Sequence, residues 1–247
     1  MNKIIELSDF VMAELQKLAD PKRAEGEKRY FKNTINPLGV SHPAFQSLEK
    51  KVFKDIKNDN WTCSDAMEFA EIMLNKRVFE YTLFSLEFLS RYVKDMDDSH
   101  IKIFKKWLED DLLDNWAAVD TLCPHIIGEI LNIKPELMRC LDGWSESNNR
   151  WVRRASAVSF VLLARKGKFL DDCYKTGVSL FADKDDDLVQ KGNGWMLREA
   201  GKTDMERLEV FLLKYGHNIP RTTLRYAIEK FPKEKRAYLL QATKPQK

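Results

Sequence analysis

The feature of this sequence that most restricts its fold is the spacing of its apolar residues, which recur every three to four positions along almost the whole chain. Stretches such as AMEFAEIML and VFEYTLFSLEFLSRYV carry the pattern, which puts an apolar stripe on one side of an α-helix. No run alternates apolar and polar residues between hairpin turns, so the chain reads as all-α. Short breaks separate the helices: ADPKRAEGE, KNDNWTCSD, KDMDDSH, GWSESNN, DKDDD and GHNIPR. Their Ser, Asp and Asn side chains are placed to accept the free N–H groups of the next helix, and they imply about a dozen helices.

None of these connections is Gly/Ser-rich or low in complexity, so residues 1–247 are expected to form one domain. Short loops between helices of similar length make antiparallel pairs. About six such pairs, repeating at roughly 40 residues, predict a HEAT-like α-solenoid. Stacked repeats set residues of equal phase on one wall. Trp116, Arg154 and Trp195, which are 38 and 41 residues apart, would share such a wall.

Composition removes several classes of function. No apolar run approaches the roughly 20 residues of a membrane span, so no membrane partner is expected. The N-terminal MNKIIELSDFVMAELQKLAD has helical periodicity instead of the apolar block of a secretory signal. Cys63, Cys123, Cys140 and Cys173 contain no C-x-x-C pair, and His42, His100, His125 and His217 are as scattered, which argues against a zinc site. Buried, reduced thiols in a cytoplasmic chain are the expectation. The net charge of +3 is small but uneven. DMDDSH, EDDLLD and DKDDD are acidic, whereas RWVRRASAVSFVLLARKGK (150–168) has six basic residues and no acidic one.

Four segments carry candidate chemistry. In NWAAVD, Val119, Leu122, Ile126 and Ile130 form the buried stripe, with Trp116 and Asp120 at its edge. An ordinary alternative packs Trp116 in the core and leaves Asp120 as a solvated helix charge. In RWVRRASAV, Trp151, Ala155, Val158 and Leu162 form the stripe, leaving Arg154 on its flank and Arg153 pointing away. With no carboxylate in that helix to pair with it, Arg154 suits a phosphate, although a surface ion pair is equally open. In KGNGWMLREAGK, Gly192 and Gly194 permit close approach of a helix or a ligand, and Trp195 is followed on one side by Arg198 and Lys202. PRTTLRYAIEKFP sets two hydroxyl residues at a helix start, with Arg221 and Arg225 to assist an anion there or simply to cap and solvate the helix.

Taken in order, NWAAVD, RWVRRASAV, ARKGK and GWMLREAGK, together with EKRYFKNTINPLGV near the N-terminus, resemble the AlkD family of DNA alkylation repair glycosylases. The resemblance implies a HEAT-like solenoid that grips duplex DNA in a basic concave cleft. It also implies removal of cationic bases such as 3-methyladenine and 7-methylguanine without extrusion of the base. Position by position it assigns the catalytic aspartate to Asp120, the sugar-facing tryptophans to Trp116 and Trp195, and the cleft arginine to Arg154. Tyr30, Lys32, Arg153, Arg165, Lys166, Arg198, Lys202, Arg221 and Arg225 are the expected DNA contacts. No cofactor is implied; a monomer on duplex DNA, cytoplasmic and nucleoid-associated when bound, is the expectation. A non-catalytic HEAT-like binder of damaged or branched DNA would share the basic stripe, and a protein–protein scaffold is the ordinary role of many solenoids.

Overall fold

The computed structural model describes residues 2–32, 34–57 and 59–244. Asn33, in EKRYFKNTINPLGV, and Asn58, in KNDNWTCSD, lie outside them. At five of the six expected breaks a side chain caps the next helix: Asp20, Thr62, Asp97, Asn149 and Asp186 each accept a backbone N–H of the helix that follows, as do Asn2, Asn115 and Asp204 outside those breaks. At GHNIPR the helix starts from Pro220 without a side-chain cap. The described residues form fifteen α-helices and no strand: α1 (Lys3–Lys17), α2 (Pro21–Tyr30), α3 (His42–Asp55), α4 (Cys63–Leu74), α5 (Phe79–Leu89), α6 (Asp98–Glu109), α7 (Trp116–Leu122), α8 (Gly128–Ile133), α9 (Arg150–Val158), α10 (Val161–Arg165), α11 (Leu170–Ser179), α12 (Asp187–Thr203), α13 (Met205–Tyr215), α14 (Arg221–Ala227) and α15 (Lys233–Ala242).

The count exceeds a dozen because two expected helices are divided. The helix through NWAAVD passes through one wider turn at Cys123–Ile127 before α8; Pro124, which lacks an N–H and clashes with a carbonyl one turn back, accounts for it. The basic segment divides at Ser159–Phe160 into α9 and α10, where Gly128 lies so close that a Cβ there would meet the Ser159 carbonyl oxygen at 2.6 Å. In the other direction, ADPKRAEGE breaks the chain only at its start. Pro21 opens α2, as its fixed φ and missing N–H allow at a first turn, and Gly26 is helical.

Helices α5, α7, α9, α12 and α14 each pack on the next and form one row. Side chains repeatedly find partners about one helix pair away. Arg154 reaches Asp120 and Arg165 reaches Glu199, both 34 residues distant; Ser145 meets Ser179 at 34 and Lys168 meets Asn132 at 36. A near-constant offset of this kind is what stacked helix pairs of an α-solenoid produce. The core runs continuously along the stack, from Val11 and Phe69 through Phe104 and Ile130 to Leu197 and Leu224, all fully or almost fully buried.

The glycines of KGNG serve helix packing. A Cβ on Gly194 would meet the Tyr226 Cβ at 2.4 Å and the Thr223 carbonyl oxygen at 2.7 Å, so α12 and α14 touch along their backbones. Gly192 leaves room for Val158 and for the Arg154 side chain, which a Cβ would meet at 3.1 and 3.2 Å. Replacing Gly194→Ala should therefore destabilise the protein by about 1–3 kcal/mol, even after the roughly 1 kcal/mol that alanine gains in a helix. Urea unfolding would read this as a lower midpoint with an unchanged slope.

Candidate active site

The row α7–α9–α12 carries Trp116 and Asp120, then Arg154, then Trp195. Asn115 starts α7 by accepting the Ala118 N–H at 3.0 Å, which fixes Trp116 in the first turn and Asp120 one turn later. Asn149 does the same for α9, accepting from Trp151 and Val152 at 2.8 and 3.2 Å while its amide donates to the Leu108 carbonyl at 3.1 Å. Asp186 starts α12 and also pairs with Arg150 at 2.9 Å. Each candidate side chain thus sits on a helix whose start is fixed by a side-chain cap.

The centre of the site is a bidentate ion pair. Arg154 Nη2 donates to both Asp120 oxygens at 2.8 Å and its Nε to Oδ1 at 3.0 Å, while Nη1 donates to the Leu188 carbonyl. The guanidinium therefore ties α7, α9 and α12 together. It is almost wholly buried, whereas the Asp120 side chain keeps 19% exposure and so one accessible edge. Burial pushes the Asp120 carboxyl above the usual aspartate range, and the Arg154 charge pulls it back part of the way. Of the two readings open for Arg154, phosphate contact or surface ion pair, an ion pair forms, but a buried one: the carboxylate comes from the neighbouring helix pair.

An aromatic group flanks the carboxylate. The Phe31 ring lies parallel to Trp116, with centroids 4.7 Å apart and planes within 3°, and covers one face of the indole. Tyr30 stands edge-on to Trp116 at 6.0 Å and is 72% exposed. Phe79 supports Phe31 at 5.2 Å. Trp116 and Trp195 are both half-buried and packed against the core. Trp195 lies seven residues beyond Leu188, on the side of α12 that meets Arg154.

Sequence reasoning missed Glu80. It is 3% exposed, and its carboxylate accepts the backbone N–H groups of Leu38, Gly39 and Val40 at 2.8, 2.7 and 3.0 Å. Phe79, its neighbour, donates its N–H to the Asn36 carbonyl at 3.0 Å. The loop that follows Phe31 is in this way fastened to the start of α5. A charge inside the apolar run VFEYTLFSLEF was the available signal. Among the described residues no three His, Cys, Asp or Glu side chains gather to hold a metal ion.

The model of the DNA alkylation repair enzyme family matches residues 11–231. The chain belongs to this family. A solved structure described as a predicted DNA alkylation repair enzyme from Enterococcus faecalis shares the fold, with a TM-score of 0.74 and 19% identity over 87% of this chain and 97% of that one. No curated protein sequence is significantly similar to the chain. Membership makes alkylation damage the family's concern and DNA the partner that it implies. No described helix is long and apolar enough to cross a membrane.

In this DNA alkylation repair enzyme five of the eight expected cationic contacts have carboxylate partners, four of them from outside their own helix. Arg153 meets Asp183 at 2.7 Å and Asp186 at 3.5 Å, and donates to the Ser147 and Asn148 carbonyls. Glu199, buried, gathers Arg165 at 2.8 Å, Lys202 at 2.7 Å and Arg198 at 3.5 Å. Burial alone would raise the Glu199 carboxyl, and the hydrogen bonds from Arg165 and Lys202 hold it below the usual range. Arg198 also pairs with Glu229, and Lys166 lies 3.5 Å from Glu129. The half-exposed heads of Arg165 and Lys166 remain reachable from solvent.

The helix start in PRTTLRYAIEKFP is also engaged internally. Thr223 donates to Gln190 Oε1 at 2.6 Å and Thr222 to Asp187 at 3.2 Å, so both hydroxyl hydrogens are already engaged within the protein. Arg221 donates to the Leu240 and Thr243 carbonyls at 3.1 and 3.4 Å. Lys32 and Arg225 are exposed and make no ion pair among the described residues. The thiols differ from expectation as well: Cys123 and Cys173 are buried, but Cys63 and Cys140 are only partly so, and all four are free.

Proposed function

We propose that the protein is a monofunctional DNA glycosylase of the AlkD type, a HEAT-like solenoid that hydrolyses the N-glycosidic bond of positively charged N-alkylpurines in duplex DNA. The observation that carries this reading is the Asp120 carboxylate, held by Arg154 with one edge exposed, on the helix whose first turn presents Trp116.

A base alkylated at N3 or N7 is cationic, so it leaves as a neutral molecule and needs no general acid. The charge that develops is on the sugar. Asp120 opposes that oxocarbenium charge and orients water for attack at C1′; the C1′–N bond breaks, the C1′–O bond forms, and the water proton passes to the carboxylate. The face of Trp116 that Phe31 does not cover and the face of Trp195 favour the same cation through their ring quadrupoles. Arg154 acts as a positioning residue for Asp120, and the phosphates fall to exposed groups such as Lys32, Arg165, Lys166 and Arg225. A shallow wall suits a lesion that stays stacked, with 3-methyladenine and 7-methylguanine as the simplest substrates and one protein molecule per duplex site.

The test is release of free 3-methyladenine and 7-methylguanine from N-methylated duplex DNA. Release well above the spontaneous rate is expected; tight duplex binding with no release at high protein concentration would overturn the reading in favour of a non-catalytic binder. A pH profile tests the ion pair. Because Asp120 acts ionised and its carboxyl is raised by burial, kcat/KM should rise with pH through a midpoint above the ordinary aspartate range. In Arg154→Gln that midpoint should move higher still, since the charge opposing protonation is gone, and Arg154→Lys should restore part of the shift. An unmoved acid limb would remove Asp120 as the titrating group.

A further inference from the structure

Away from this wall, at the start of α4, Cys63, His100 and Asp97 stand in line. The Cys63 Sγ lies 3.5 Å from His100 Nε2, and His100 Nδ1 lies 2.8 Å from Asp97 Oδ1. We propose that Cys63 is a nucleophilic thiol served by His100 as general base and Asp97 as its orienting carboxylate, and that it takes up alkyl groups from small carbon electrophiles. This does not rest on the glycosylase reading.

The order of groups is that of an activated thiol: nucleophile, base within reach, and a third group that fixes the base. His100 Nδ1 also lies 3.1 Å from the Asp97 backbone N, a helix-cap contact made only when Nδ1 carries no hydrogen, whereas the Asp97 carboxylate, which can only accept, requires a hydrogen there. The shorter contact to the carboxylate favours the tautomer with hydrogen on Nδ1, which turns the Nε2 lone pair toward the sulfur. Ser99 donates to the same Asp97 oxygen at 2.6 Å and holds the carboxylate in place. Cys63 is the first residue of α4, where the helix dipole favours a developing thiolate.

Burial, with the carboxylates of Asp95 and Asp97, pushes the Cys63 thiol up, and Lys134 opposes them. Burial, with the charge of Asp65, also raises the Tyr92 hydroxyl, whose phenolate would repel a Cys63 thiolate. The resting group is therefore the thiol, which makes a base necessary. In the step, sulfur attacks the alkyl carbon, the S–C bond forms, and the bond from carbon to the leaving group breaks with its electron pair. The thiol proton moves to Nε2, and the imidazolium, paired with Asp97, passes it to solvent. The product is a thioether.

Iodoacetamide is the probe, read by peptide mass spectrometry near neutral pH, with the partly buried Cys140 as internal standard. Cys63 should react faster than Cys140. His100→Gln keeps the cap, because glutamine serves at that position of a capping box, and it should slow Cys63 by at least about tenfold while Cys140 is unchanged. Asp97→Asn, which also keeps the helix start, should give a smaller loss in the same direction. Cys63 reacting no faster than Cys140, or His100→Gln matching wild type, would overturn the proposal and leave His100 as a helix cap. If His100→Gln fails to fold, Asp97→Asn decides alone. Cys63→Ser should release alkylated bases at the wild-type rate; absence of base release in every variant would defeat the glycosylase reading and leave the thiol result standing.

Discussion

Asp120→Asn should lower base release by at least about a hundredfold, equivalent to about 2.7 kcal/mol of transition-state stabilisation, with duplex binding retained. The substitution keeps the shape of the side chain and one oxygen for Arg154, so helices α7, α9 and α12 stay tied. What is lost is the negative charge facing the developing sugar cation, and with it the acceptor for the water proton. Removing a carboxylate beside a phosphate backbone also lessens repulsion, so binding should hold or improve slightly. Single-turnover release and a separate binding titration check the two halves. Equal release by the Asp120→Asn variant and the wild-type enzyme would mean that the charge at this position does no chemistry.

The second large effect concerns stability. Glu80→Gln should destabilise the fold by about 2–3 kcal/mol and lower Tm by roughly 5–10 °C. Three N–H groups, those of Gly39 and Val40 buried and that of Leu38 partly so, converge on one carboxylate. A glutamine offers one oxygen and turns an NH2 group toward a backbone donor, which leaves a buried donor without an acceptor. Gly39 cannot move to compensate. Its φ is +80°, and a Cβ there would lie 2.3 Å from the Asp20 carbonyl oxygen, so this turn is already closed against α2. Since the loop anchors the segment after Phe31, the variant should also lose order in the Phe31–Trp116 stack, visible as a change in tryptophan near-ultraviolet circular dichroism. A calorimetric scan showing wild-type Tm would contradict the role given to Glu80.

How much of this was legible beforehand depends on the range of the interaction. The all-helical class, the capped starts of α4, α6, α7, α9 and α12, and the edge position of Trp116 and Asp120 follow from local periodicity and capping chemistry. The division at Pro124 was equally local and could have been read from the proline alone. The pairing of Arg154 was not legible, because its partner is 34 residues away and becomes a neighbour only when helix pairs stack. The same holds for Arg165, which reaches the buried Glu199 from 34 residues away, whereas Arg198 and Lys202 are neighbours of Glu199 on its own helix.

KGNG shows both cases in four residues. Sequence announced that something must come close to Gly192 and Gly194, since glycine inside a helix costs stability without such a reason. It could not say whether the visitor was a ligand or a helix. The fold answers with Arg154 on one glycine and α14 on the other.

By itself, then, the sequence determined what each segment becomes: which residues turn into helix, where each helix starts, and which face is apolar, because these follow from hydrogen bonds and side-chain spacing within about a turn. Tertiary structure alone decided which charges remain free. A basic stripe with no acid of its own is neutralised by carboxylates from neighbouring helix pairs, and Arg154, open in sequence to a phosphate or a surface ion pair, forms a buried pair with Asp120. Ion pairing depends on distance in space, and no pattern within a single helix encodes it.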